Sequence, residues 1–237
     1  MPPDVSTSAT SATADELGAG REPAGHAPTL LAHHFDSMVQ QKAAVELGMW
    51  LFLVQEVMFF GGLFVAYAYY RALYPAAFVA ASHHLDVPFG TVNTAVLIGS
   101  SLTMALAVHA AQRGRRAAVR NLVIATMVLG LVFLGIKAIE YHHKWTEHLI
   151  PGASFAGETV GGWGGQIFFI LYFAMTGMHA LHMVIGEGIM GLLLYWNAKG
   201  MVSAEYPSRA HLCGLYWHFV DLVWIYLFPL LYLISLH

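Results

Sequence analysis

Several residues whose types suit proton or metal chemistry stand inside long apolar runs. "LFLVQEVMFFGGLF" (51–64) carries Gln55 and Glu56 at its centre. "MTGMHALHMVIGEG" (175–188) carries His179 and His182 three apart, then Glu187, and "YWHFVDLVW" (216–224) places His218 three residues before Asp221. Lys137 and Glu140 are also three apart, and Ser100, Ser101 and His109 interrupt another apolar run. Spacings of three or four put side chains on one side of a helix, so each pair is expected to act together.

Metal chemistry fits this set poorly. A di-iron bundle needs a Glu-x-x-His pair on each of two helices, and none is written here. His179-x-x-His182 lacks the glutamate of a HExxH zinc site. Haem ligation needs only one or two histidines, so spacing leaves it open. There is no phosphate-cradling glycine loop and no nucleophile constellation. The expected metal and cofactor content of this chain is therefore none, with the histidines satisfied inside the helix packing.

The elements carrying these residues are set by composition. The 237 residues are 57% hydrophobic and 11% charged, with a mean hydropathy of +0.59. A soluble domain is about a quarter charged. The chain is read as one all-α, polytopic membrane helix bundle. A single cysteine, Cys213, excludes an internal disulfide framework, and a net charge of −3 gives no nucleic-acid footprint.

A hydrocarbon core about 30 Å thick takes roughly 20 apolar residues. Five segments qualify, near 45–70, 91–112, 119–141, 165–195 and 213–236, the fourth long enough to tilt or protrude. Residues 1–40, rich in Ser, Ala, Thr, Gly and Pro, are expected to be a disordered cytoplasmic tail, without the h-region of a secretory signal. Residues 41–237 form the membrane domain. The loop "AQRGRRAAVR" (111–120) and the later Lys199 and Arg209 concentrate positive charge on one side. The positive-inside rule then puts the N-terminus in the cytoplasm and the C-terminus outside.

At about eleven residues into its span, Glu56 is close to the midplane. A charge there costs about 2.5 kcal/mol or more. The carboxyl must be neutral, paired or facing a protein-lined pocket. The expected arrangement is a neutral carboxyl, shielded by Phe52, Phe59 and Phe60, donating a hydrogen bond to a neighbouring helix or partner. Asp221 is expected to accept hydrogen bonds from a neighbouring helix, with His218 helping. Trp50, Gly61, Gly62, Trp217 and Trp224 are candidates for interfaces or lipid contact.

Five motifs occur in order: "GMWLFLVQEVMFFGGLF", "NTAVLIGSSLTMALAVHAAQRGRR", "KAIEYHHKW", "TGMHALHMVIG" and "YWHFVDLVW". Together they resemble subunit III of the haem–copper oxidases, most often the cytochrome c oxidases, over about 42–236. The resemblance implies a non-catalytic subunit of a bacterial proton-pumping respiratory oxidase in the plasma membrane. Haem and copper would sit on partner subunits, with subunit I the main contact and subunit II and other respiratory subunits beside it. It also implies bound phospholipid, and a role in proton uptake and in lipid or dioxygen access. Glu56 matches the family's buried glutamate, which faces subunit I. Glu140 and Tyr141 match its Glu-Tyr pair, His179 and His182 its two-histidine motif, and 217–221 its Trp-His-Phe-Val-Asp motif. Many relatives carry two further helices ahead of the matching stretch, so one wall of the family's lipid cleft is missing from this sequence. The alternatives are subunit III of a quinol oxidase, or a relative associated with nitric oxide reductase. More remote are a free-standing proton-coupled transporter using Glu56, His182 and Asp221 as a relay, and an independent membrane metalloenzyme. The transporter reading lacks an inverted repeat and Gly/Pro-broken helices.

Overall fold

The computed structural model describes residues 38–152, 155, 160–201 and 208–233. All but the last three residues of the tail expected over 1–40 lie outside the described residues. The described residues form six helices and no strand: α1 Met38–Leu73, α2 Pro75–Ser82, α3 Val87–Gln112, α4 Arg116–Thr146, α5 Gly162–Ala198 and α6 Ser208–Tyr232. Five of them, all but α2, are long and apolar enough to cross a membrane. This is a polytopic membrane helix bundle, as the apolar runs imply. Each spanning helix begins a few residues before its expected segment, because interfacial turns continue the helix beyond the apolar core. α5, at 37 residues, reaches about 55 Å at 1.5 Å per residue, well beyond the hydrocarbon thickness.

The spans alternate in direction. Trp217 bonds Ser100 while Trp224 bonds Thr94, so α6 runs antiparallel to α3. Tyr172 meets Tyr232 while His182 meets Tyr216, so α5 and α6 are antiparallel as well. α1 lies along α6 in parallel, with Phe52 stacked on Tyr216 and the Tyr67 hydroxyl donating to the Leu230 carbonyl. That carbonyl is in the last turn of α6.

The short helix α2 was not foreseen, because eight residues cannot span a bilayer and no periodicity marks them. Its physical cause is local. Pro75 presets the first turn, and Phe78 and Ala81 bury completely. Glycine lets α2 approach the start of α5: a Cβ on Gly164 would lie 2.7 Å from the Ala77 Cβ, and one on Gly161, at φ +86°, 2.9 Å from it. Part of the glycine-rich stretch 157–165 therefore serves close packing.

Candidate functional site

Glu56 is held by α1 and His182 by α5, and they meet across the interhelical gap. Glu56 Oε2 lies 3.1 Å from His182 Nε2, with both side chains about nine-tenths buried. The other ring nitrogen, Nδ1, is 2.8 Å from the Met178 carbonyl one turn back on α5. A carbonyl only accepts, so Nδ1 carries a hydrogen. Nε2 then faces Glu56 with one proton between the two groups. Phe60, fully buried, packs its ring on His182 with centroids 5.5 Å apart. Tyr216 closes the far side by donating to the His182 carbonyl at 3.0 Å.

The aromatic shield differs from expectation in one member. Phe60 is buried and Phe52 half-buried, but Phe59 is 43% exposed and turns outward. Phe59 is turned a net angle of about 60° from Glu56, on the side away from Phe60, and the buried stripe of α1 is too narrow to cover it.

A second polar cluster lies in α4, α5 and α6. Lys137 Nζ is 3.0 Å from Glu140 Oε2, and neither side chain is more than 3% exposed. Lys137 also donates to Tyr232 Oη at 2.8 Å and to Tyr172 Oη at 3.2 Å, and both phenols donate to Glu140 Oε1. The rings of Trp224, Tyr141, Tyr172 and Tyr232 surround the ammonium at 5.1–5.5 Å. This network satisfies the buried pair on every side, which makes its burial tolerable. Tyr141 bonds Thr176 on α5. Sequence reasoning had Lys137 and Glu140 together but missed Tyr172, Tyr232 and Thr176. Their one signal was a hydroxyl on a facing helix, without a spacing rule.

The remaining candidates divide. His179 is buried but does not join His182: its ring packs on Phe133 and Trp224, and neither nitrogen has a described partner. Ser100 and Ser101 bond across to α6, whereas His109 is exposed. His218 does not assist Asp221. Its Nδ1 is 2.8 Å from Ser101 Oγ on α3, and that same hydroxyl is the one donor beside Asp221 among the described residues, too poorly aligned to make a full hydrogen bond to its oxygens. Asp221, 4% exposed, and His218 line a crevice of about 280 Å³ between α3 and α6. The i,i+3 spacing put the two on one side of the helix, but the facing serine captured the ring.

Trp217 and Trp224, expected at an interface or in lipid, are fully buried. Their indole N–H groups reach Ser100 and Thr94, each at 3.1 Å, which draws the rings into the bundle. Trp50 is 60% exposed, and a Cβ at Gly61 or Gly62 would meet nothing within 4 Å, so these three belong to the open side of α1. Glu187 rests its carboxylate over Gly130 of α4, where a Cβ would lie 2.2 Å from it. No group of three or more His, Cys, Asp or Glu that could hold a metal occurs among the described residues.

The family model for cytochrome c oxidase subunit III matches residues 26–236. The chain belongs to that family. Cytochrome c oxidase subunit 3 of Corynebacterium diphtheriae is 36% identical over 193 residues, covering 81% of this chain and 88% of the relative. The subunit 3 of the cytochrome bo(3) ubiquinol oxidase of Pseudomonas aeruginosa is 28% identical over 205 residues, covering 86% and 92%. Mouse cytochrome c oxidase subunit 3 is 30% identical over 213 residues, covering 86% of this chain and 74% of the relative. As a subunit III, the chain is part of an oxidase complex, and its partners are other subunits of that complex.

Proposed function

We propose that this chain is the non-catalytic subunit III of a bacterial proton-pumping respiratory oxidase that takes electrons from cytochrome c and reduces dioxygen to water. It sits in the plasma membrane with its N-terminus in the cytoplasm. The haems and copper reside on partner subunits, subunit I being the main contact and subunit II a second. The chain braces subunit I, keeps its proton-uptake path working, and lines a route for lipid or dioxygen.

The observation that supports this reading most is the state of α1. Only 11% of its most apolar window is buried by the chain itself, against 56% for α5. α1 touches the bundle through long side chains, Glu56, Phe60 and Tyr67 among them, and leaves Trp50, Val54, Met58 and Val65 open. A helix pinned by a buried polar contact on one side and open on the other suits a helix shared with a partner bundle, its small Gly61 and Gly62 permitting close approach. Glu56 makes its hydrogen bond within the chain, so its influence on subunit I is exerted through the placement of α1. The higher identity to the cytochrome c oxidase relative favours that donor over quinol.

The test is purification from the native membrane in mild detergent. A large haem-bearing subunit with the optical spectrum of an oxidase should accompany the chain in constant ratio. A chain that purifies colourless and alone, with oxidase activity in other fractions, overturns the reading.

A further inference from the structure

The corner between α2 and α3 meets the end of α4 through a charged cluster that the Glu56 site does not use. Asp86 stands at the N-terminal boundary of α3, where an aspartate ordinarily caps its own helix. Its side chain makes no such cap bond. The carboxylate turns to α4 instead, with Oδ2 3.8 Å from His143 Nδ1 and 3.9 Å from Lys144 Nζ. Glu147, one turn beyond His143, approaches the same two residues: its Oε1 is 3.5 Å from His143 Nε2 and its Oε2 3.2 Å from Lys144 Nζ. Lys144 is buried and also donates to the His84 carbonyl, which fixes it in place.

The two ring nitrogens of His143 therefore face two carboxylates. A neutral imidazole carries one N–H, so one carboxylate meets a lone pair, whereas an imidazolium carries two and attracts both. The charges agree with this geometry. Two carboxylates against one ammonium leave one negative charge, and a protonated His143 balances it. The residue is also in the last turn of α4, where the free carbonyls favour a cation. Histidine changes charge between about pH 5 and 8, and carboxylates titrate below that range. His83 and His84 precede Asp86, and His142 and His148 stand near the cluster on the α4 side, but none of their rings makes an ion pair among the described residues.

We propose that His143 is a pH-sensitive clasp, whose protonated ring draws the α2–α3 corner onto the end of α4 through Asp86 and releases it as the pH rises. Exposed ion pairs are individually weak, so the clasp adjusts how often the corner opens and leaves the fold intact. On the orientation proposed above, this end faces the outer compartment into which a proton pump discharges. That placement rests on the proposed function; the clasp itself does not.

The experiment follows hydrogen exchange of the 83–90 segment by mass spectrometry. It uses the chain with its accompanying oxidase subunits in nanodiscs, where both membrane faces meet the same buffer. Each rate is divided by the intrinsic rate at that pH. Protection should be about threefold higher at about pH 5.5 than at about pH 8, the size that exposed ion pairs allow. His143→Gln should show the low protection at both pH values, and His143→Arg the high protection at both. Asp86→Asn should abolish the step as well, and it supplies the reading if a His143 variant fails to fold. Equal protection at the two pH values in the unmodified chain would overturn the proposal. So would a step that survives in His143→Gln, where the neighbouring histidines still titrate.

Discussion

Glu56 of α1 and His182 of α5 share a hydrogen bond 3.1 Å long, with the second imidazole nitrogen already committed to the Met178 carbonyl. That commitment leaves two arrangements for the pair. Either the carboxyl donates to a neutral ring or the imidazolium donates to a carboxylate. Away from water, the neutral arrangement avoids the desolvation of two ions, and it is the one proposed here. Infrared spectra should show the carbonyl stretch of a protonated carboxyl that disappears in Glu56→Gln. A band unchanged by that substitution would assign the protonated group elsewhere.

Replacing Glu56 separates shape from chemistry. Glu56→Gln keeps a donor toward Nε2 and nearly the same volume, so assembly and initial turnover should stay close to normal. Glu56→Ala leaves Nε2 without its partner in a buried setting, a loss of about 1–3 kcal/mol. The link between α1 and α5 should loosen, and activity should decay faster over many turnovers than in the Gln variant. If Gln abolishes initial turnover in an intact complex, Glu56 is an obligatory proton carrier rather than a structural contact.

The Lys137–Glu140 pair offers a sharper energetic contrast. Lys137→Met leaves Glu140 buried with its phenol donors but without its cation, and should destabilise the chain by about 3–5 kcal/mol. Lys137→Met with Glu140→Leu removes both charges and should recover much of that loss. Thermal unfolding in detergent measures both. Equal loss in the single and double variants would mean that the phenols, not the ion pair, hold α4, α5 and α6 together.

Asp221 tests a different idea. Its oxygens have only the Ser101 hydroxyl beside them, already bonded to His218 Nδ1, so Asp221→Leu should leave the chain's own thermal stability within about 1 kcal/mol. The carboxyl lines the open crevice between α3 and α6, where a stronger donor can reach it. The proposed donor is on a partner subunit, and the yield of assembled complex should fall. Stability lost with assembly intact would place the donor inside the chain.

The close seat of α2 on α5 rests on Gly164. Gly164→Ala puts a methyl 2.7 Å from the Ala77 Cβ and 3.0 Å from the Tyr74 Cβ, and overpacking of this kind costs about 1–3 kcal/mol. Protease sensitivity of the 74–86 segment should rise. Unchanged sensitivity would show that α2 is held by Phe78 alone.

The legible part of this molecule was what hydrophobic length and carboxylate cost determine. Five apolar runs gave five spans, and the expense of a mid-bilayer charge marked Glu56 before any partner was known, whereas Glu140 was marked by its spacing from Lys137 and by the family's Glu-Tyr pair. What sequence could not supply was the facing residue. Nothing in "HALH" says that His182 turns to α1 while His179 turns to Phe133 and Trp224. A 60° difference in direction on one helix selects different neighbours. The same limit explains the tryptophans, since an amphipathic indole suits a lipid interface as well as a buried site with a hydroxyl in reach. α2 stayed hidden because its stability lies in glycines some 80 residues away.

We propose that α1 carries the face shared with the haem-bearing subunit while Glu56 pins its other side to α5. A photo-crosslinking residue at Met58, 73% exposed on α1, tests it most directly against one at Leu102, 61% exposed on α3. In native membranes Met58 should link to the large haem-bearing subunit, and Leu102 should do so at most weakly. Efficient linkage from Leu102 with none from Met58 would place the shared face on α3 instead of α1.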